Sequence, residues 1–112
     1  MKRLTEFQAT CESNLVAALA ACGFALKNRS IQGKTETYVV SEIPHAGLKL
    51  WIYEGEAMFT VSGKSYIYEA PDYPDPDDRI SRFTAAVVAG AQGLRPTDSG
   101  SARISVFRGK KL

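Results

Sequence analysis

Residues Leu48 to Tyr68, LKLWIYEGEAMFTVSGKSYIY, read as three short strands joined by two tight turns. Glu54-Gly55 forms the first turn, and the second lies within Ser62-Gly63-Lys64-Ser65. Each is flanked by β-branched and aromatic residues, the usual short-range signal of a hairpin. With a two-residue loop at Glu54-Gly55, Tyr53 faces Glu56, Ile52 faces Ala57, Trp51 faces Met58 and Leu50 faces Phe59. Side chains alternate along a strand. One face of this meander therefore carries Leu48, Leu50, Ile52, Ala57, Phe59 and Val61. Tyr66 and Tyr68 join that face whether Gly63-Lys64 or Ser62-Gly63 is the second loop, because the two choices differ by two residues in register. This is the expected core face.

The opposite face mixes Lys49, Glu56, Thr60, Ser65 and Glu69 with Trp51, Tyr53, Met58 and Ile67. Trp51 directly across a strand pair from Met58, with Tyr53 and Ile67 beside them, makes a candidate apolar patch. Another segment of the chain, such as the C-terminus, packs over it, or it lies in solvent, or a partner covers it; Trp, Tyr and Met are enriched at interfaces.

Working outward toward the N-terminus, Phe24–Ile31 and Thr35–Ile43 read as two extended segments around Gln32-Gly33-Lys34, a second hairpin. Its register stays open, since Tyr38 and Val40 compete with Val39 for the inward side. Lys27, Arg29 and Lys34 line a basic edge of the kind that keeps a sheet from pairing with strangers. Leu4 to Cys22 places Leu4, Phe7, Cys11, Leu15, Ala18, Leu19 and Cys22 on one helical stripe, with Thr5 and Gln8 spaced as a capping box and Gly23 as the stop. The two cysteines lie about 16 Å apart on such a helix, too far to bridge. Both are expected to be apolar core thiols.

Toward the C-terminus, EAPDYPDPDD (Glu69–Asp78) concentrates carboxylates and prolines without the alternating oxygen donors of an EF-hand loop. Asp75 fits an N-cap, Pro76 the first helical position, and Asp77 and Asp78 the positive end of a helix dipole. The helix runs from Pro76 to about Gln92, with Ile80, Phe83, Thr84, Val87 and Ala91 on one side and Gly93 as its stop. Its other side is rich in alanine, suited to a second close helix contact. Arg95–Ser101 reads as a loop, Ala102–Phe107 as a last strand, and Arg108–Leu112 as a basic tail.

The predicted fold is α+β over residues 1–112 as one domain, in the order α-β-β-β-β-β-α-β. An antiparallel sheet of five or six strands, hairpin plus meander, carries two helices on one face. With 45% hydrophobic and 23% charged residues, the composition is that of an ordinary globular domain that needs no disulfide or structural metal. No apolar run is long enough for a bilayer, and Met1-Lys2-Arg3 leads into a polar segment rather than a signal-peptide core, so the expected location is the cytoplasm. A net charge of +2 without interleaved aromatic and basic residues argues against nucleic acid.

No cofactor or metal is implied. His45, the single histidine, lies in the Pro44–Gly47 loop without a nucleophile elbow or a second metal-ligand histidine. The leading expectation is a non-catalytic protein-interaction module, a homodimer joined through Trp51, Tyr53, Met58 and Ile67 or through the second helix, with another protein as partner in reserve. The alternative is a binder of a small apolar molecule between sheet and helices, with Tyr66 and Tyr68 facing the ligand. A hydrolase-type enzyme pairing His45 with a carboxylate of Glu69–Asp78 ranks last.

Overall fold

The computed structural model describes residues 3–96 and the backbone of a short strand at Arg103–Ile104. The first helix, α1, is Glu6–Ala21. The strands β1 (Lys27–Gln32), β2 (Tyr38–Ile43), β3 (Leu48–Ile52), β4 (Ala57–Val61) and β5 (Lys64–Tyr68) follow, then the helix α2 (Pro76–Ala91) and β6 (Arg103–Ile104). All six strands form one sheet in sequence order, each antiparallel to its neighbour. This is the expected α+β class, with the two helices side by side over one face of the sheet.

The meander has the expected register from Leu50↔Phe59 to Ile52↔Ala57, closed by Tyr53 N–H donating to the Glu56 carbonyl at 2.7 Å. Of the two loops weighed for the second turn, the chain uses Ser62-Gly63, since Val61 pairs with Lys64. Ser62 and Gly63 have φ of 54° and 77°. A tight turn that matches the strand twist needs both central residues in this left-handed region, which glycine tolerates and lysine resists. Leu48, Leu50, Ile52, Ala57, Phe59, Tyr66 and Tyr68 are buried on the helix side, and Val61 is half-buried.

The first hairpin differs from its sequence reading. Its strands are shorter, and Gln32 pairs with Tyr38 across a five-residue loop. Gly33 explains the loop: at φ 105°, a Cβ on it would lie 1.9 Å from the Glu36 carbonyl oxygen. Val39, Ser41 and Ile43 take the inward side, which settles the open register. A bulge between Lys27 and Ser30, with Asn28 at φ 55°, twists the outer strand. Arg29 on that strand forms a two-pronged ion pair with Glu12 of α1.

The α1 capping box is present, with Gln8 N–H donating to Thr5 Oγ1 and Thr5 N–H to Gln8 Oε1. Cys11, Leu15 and Leu19 are buried as expected. Cys22 is not: it is the exposed C-cap of the helix, carried off the core stripe where the last turn ends. The expectation of two core thiols is corrected to one. Burial, with a smaller push from Glu12, raises the Cys11 thiol from 9.0 to about 12. A folded-state pKa above the unfolded one means that the native protein holds the proton more tightly. This stabilisation is complete below about pH 9 and is lost as pH climbs toward 12. Alkylation of the native chain near pH 8 should therefore modify Cys22 alone, and Cys11 only after denaturant is added. Two labels on the native protein, counted by mass, would contradict this placement.

In α2, Asp75 caps the helix through Asp78 N–H, Pro76 is the first residue, and Asp77 and Asp78 stand in the first turn, as read. Ile80, Phe83, Ala86, Val87, Gly90 and Ala91 meet the core. A Cβ on Gly90 would come within 3.3 Å of Leu48 and Phe59, so its absence lets the helix sit close to the sheet. The expected second helix contact is made inside the chain: Thr84, Ala85 and Val88 share a shallow groove with Ala17 and Ala18 of α1. Two helices about 10 Å wide do not fully cover six strands spaced about 4.8 Å apart. Ile31 of β1, on the helix side opposite Val39, is accordingly 41% exposed.

Of the expected last strand, Arg103 and Ile104 pair with Ile67 and Tyr66. The rest of that strand and the basic tail Arg108–Leu112 lie outside the described residues.

Candidate functional site

The sheet face turned away from the helices carries one cross-strand row, Val40–Trp51–Met58–Ile67, whose members pair directly with each other. The row is not uniformly open. Met58 and Ile67 are 5% and 1% exposed in the single chain, and Val40 is also buried. Trp51 and Tyr53 remain half-buried. The accessible part of the expected patch is therefore its β2–β3 half.

Two side chains that the sequence did not single out complete this half. Tyr38 continues the row of Tyr53, with ring centroids 5.3 Å apart and the planes tilted by 42°. Its hydroxyl makes a long 3.4 Å bond to Gln32 Oε1. Lys49, two residues before Trp51 on the same face, holds its ammonium 5.4 Å from the indole centroid. A cation over an indole face is attracted by the ring quadrupole, by about 0.5–1 kcal/mol at an exposed site. Tyr38 became legible only with the hairpin register. The Lys49–Trp51 spacing of two was visible in the sequence, but whether the ammonium lay over the ring was not.

Tyr66 and Tyr68 face the helices, and other rings occupy the space around them. Tyr66 stacks on Phe59 at 5.1 Å, and Tyr68 on Tyr73 at 5.5 Å, with Phe83 edge-on to both Phe59 and Tyr68. Tyr73, from the acidic segment, is an unforeseen core residue at 5% exposure. Tyr66 also borders a shallow cleft at the sheet end, beside Lys64, Leu94 and Arg95.

His45 is exposed on a single 3-10 turn, Pro44–Ala46, at the Leu48 end of β3. The acidic segment starts after Tyr68, which pairs with Ala57 and through it with Ile52, the other end of β3. Four residue steps, about 13 Å, separate those ends even before the loops diverge. The pairing of His45 with a carboxylate of Glu69–Asp78 is thus corrected: the sheet holds the two loops at opposite ends. Among the described residues, no group of three or more His, Cys, Asp or Glu side chains is arranged to hold a metal ion. No helix of the described residues is long and apolar enough to cross a membrane.

The end of the sheet that carries the acidic segment is tied together by two buried polar side chains. Gln8 Nε2 donates to the Thr37 carbonyl at 2.8 Å and the Ile52 carbonyl at 3.2 Å. The Arg79 guanidinium donates to the carbonyls of Tyr73, Gly55 and Pro74 at 2.9, 2.7 and 3.1 Å and lies 5.3 Å from the Phe7 ring centroid. These bonds hold the β1–β2 loop, the β3–β4 turn and the start of α2 in fixed relation, and so fix the border on which Tyr38 and Tyr53 sit. No protein-family model matches this chain, and no curated protein or solved structure matches it either.

Proposed function

We propose that this chain is a non-catalytic interaction module that self-associates through the β2–β3 half of its outer sheet face, with Trp51 at the centre and Tyr38 and Tyr53 beside it. The observation that carries the reading is the placement of three large aromatic rings, all half-buried, on the face that the helices leave uncovered. Rigid aromatic side chains lose little entropy on contact and supply most interface hot spots. The patch is bordered by Glu42 and Lys49, directly paired across β2 and β3, so that a second copy can approach without a single-sign field opposing it.

Light scattering over a wide concentration range tests the reading. The wild-type chain is expected to run as a dimer at tens of micromolar, and Trp51→Glu to weaken that dimer by about 30-fold or more, as loss of a central hot spot does. Circular dichroism should show an unchanged fold, because the Trp51 ring is only half-buried. A wild-type monomer throughout, or a Trp51→Glu dimer of wild-type affinity, would sink the proposal.

A further inference from the structure

Exposure along the outer row runs against what the sheet alone would give. Neighbouring strands shield the flanks of a side chain, so on an open face the middle strands are the best shielded and exposure rises toward either edge. Here it falls instead. Trp51 of β3 is half-buried, Met58 of β4 is 5% exposed, and Ile67 of β5, one strand from the edge, is 1% exposed. Val40, on the other flank of the row, is a small side chain between the larger Tyr38 and Trp51. The cover over Met58 and Ile67 therefore comes in from the β6 side.

Among the described residues, no segment supplies that cover. Both helices are on the other face, Phe24 and Leu26 after α1 pack against the helix-side core, and Tyr73 before α2 stacks on Tyr68 there. Gly93 to Pro96, after α2, border Tyr66, again on the helix side. The remaining connections turn at the strand ends.

We infer that the cover is the chain's own C-terminal segment, Ser105 to Leu112, which leaves β6 and folds back across β5 and β4 with Val106 and Phe107 over Ile67 and Met58. Two observations choose this occupant. The segment begins where the cover must, directly after Ile104 pairs with Tyr66. Eight extended residues reach about 26 Å, whereas β4 lies only about 10 Å from β6, so the length suffices. The other stretch outside the described residues on this side, Thr97 to Ala102, has no apolar side chain larger than alanine, while Ser105 to Leu112 holds Val106, Phe107 and Leu112. The strap stops short of Trp51. It leaves Trp51, Tyr38 and Tyr53 open and gives the self-association surface proposed above a fixed border, but it does not rest on that reading.

A nitroxide attached at Lys110→Cys tests the strap in the full chain, with Cys22→Ser removing the exposed thiol and Cys11 left buried. Methyl signals of Met58 and Ile67 should be lost to paramagnetic broadening, and those of Leu15 and Leu19 on the helix side retained. Equal loss on both faces, loss on the helix side alone, or no loss anywhere overturns the inference. So does loss in a mixture of spin-labelled chain and isotope-labelled chain without nitroxide, which would assign the segment to a second copy. Peroxide oxidation of Met58, followed by peptide mass, is the second measurement. Phe107→Asp should speed it by about 10-fold, because the thioether then meets solvent. An unchanged rate in a folded Phe107→Asp chain overturns the strap. Rates are compared at low and high chain concentration, and protection of Met58 that appears only at the higher one also overturns it, since a strap within the chain protects at both.

Discussion

Arg79→Met is expected to cost about 3 kcal/mol of folding stability, the largest loss from any single polar side chain of this protein. Methionine retains much of the apolar stem, so the change isolates the guanidinium. Arg79 is 6% exposed and donates to three backbone carbonyls from two separate connections, the β3–β4 turn and the segment before α2. A hydrogen bond to a charged group contributes about 1.5–3 kcal/mol net, and the three are not additive because part of the carbonyl surface regains water when the donor is gone. For a domain whose total stability is about 5–15 kcal/mol, the loss is a large fraction, and the melting temperature should fall by on the order of 15 °C. Arg79→Lys keeps a positive charge but replaces the planar fork with a point donor, and should recover at most half of the loss. Urea unfolding with an unchanged m-value and a midpoint within about 1 kcal/mol of wild type for Arg79→Met would refute this account.

The second large effect is at Gln8, which is fully buried. Its amide nitrogen bonds the Thr37 and Ile52 carbonyls, and its oxygen accepts from Thr5 N–H. Gln8→Leu preserves the volume but removes the side-chain partner of the Thr37 and Ile52 carbonyls and of Thr5 N–H, a loss of about 2–3 kcal/mol. Gln8→Glu is nearly isosteric and should cost more at neutral pH, because a carboxylate would then face two carbonyl oxygens.

The variant also carries a pH signature. Those carbonyls favour the protonated acid, so the folded-state pKa of the new carboxyl lies above its unfolded value of about 4.3. The native state then binds more protons than the unfolded state between the two values. Relative to wild type, Gln8→Glu should lose stability as pH rises above about 4.3, by up to ~1.4 kcal/mol per pH unit, until the folded-state pKa is passed. A pH-independent difference between Gln8→Glu and wild type would contradict the geometry at Gln8.

These two residues mark where sequence reading stops. The meander register from Leu50 to Phe59 follows from the Glu54-Gly55 turn and the alternation beside it, because both signals are local. The start of α2 follows from Asp75, Pro76 and Asp78, again neighbours in the chain. Gln8 was legible as a capping residue, a bond across three positions, but its other two acceptors lie 29 and 44 residues away. Arg79 sits where helix periodicity expects an apolar residue or solvent, and the carbonyl of Gly55 that it meets is 24 residues distant. Cys22 failed for the converse reason: periodicity continues past the point where the helix, and with it the buried stripe, ends.

For the candidate surface, the alternation of Leu48–Tyr68 determined by itself that Trp51, Tyr53, Met58 and Ile67 share one face. Tertiary structure decided that Met58 and Ile67 are covered and that Tyr38 joins Tyr53. Side-chain direction along a strand is a property of the local backbone, set by steric terms over neighbouring residues. Burial is a sum over everything that the fold brings near, and antiparallel topology decides which segments those are.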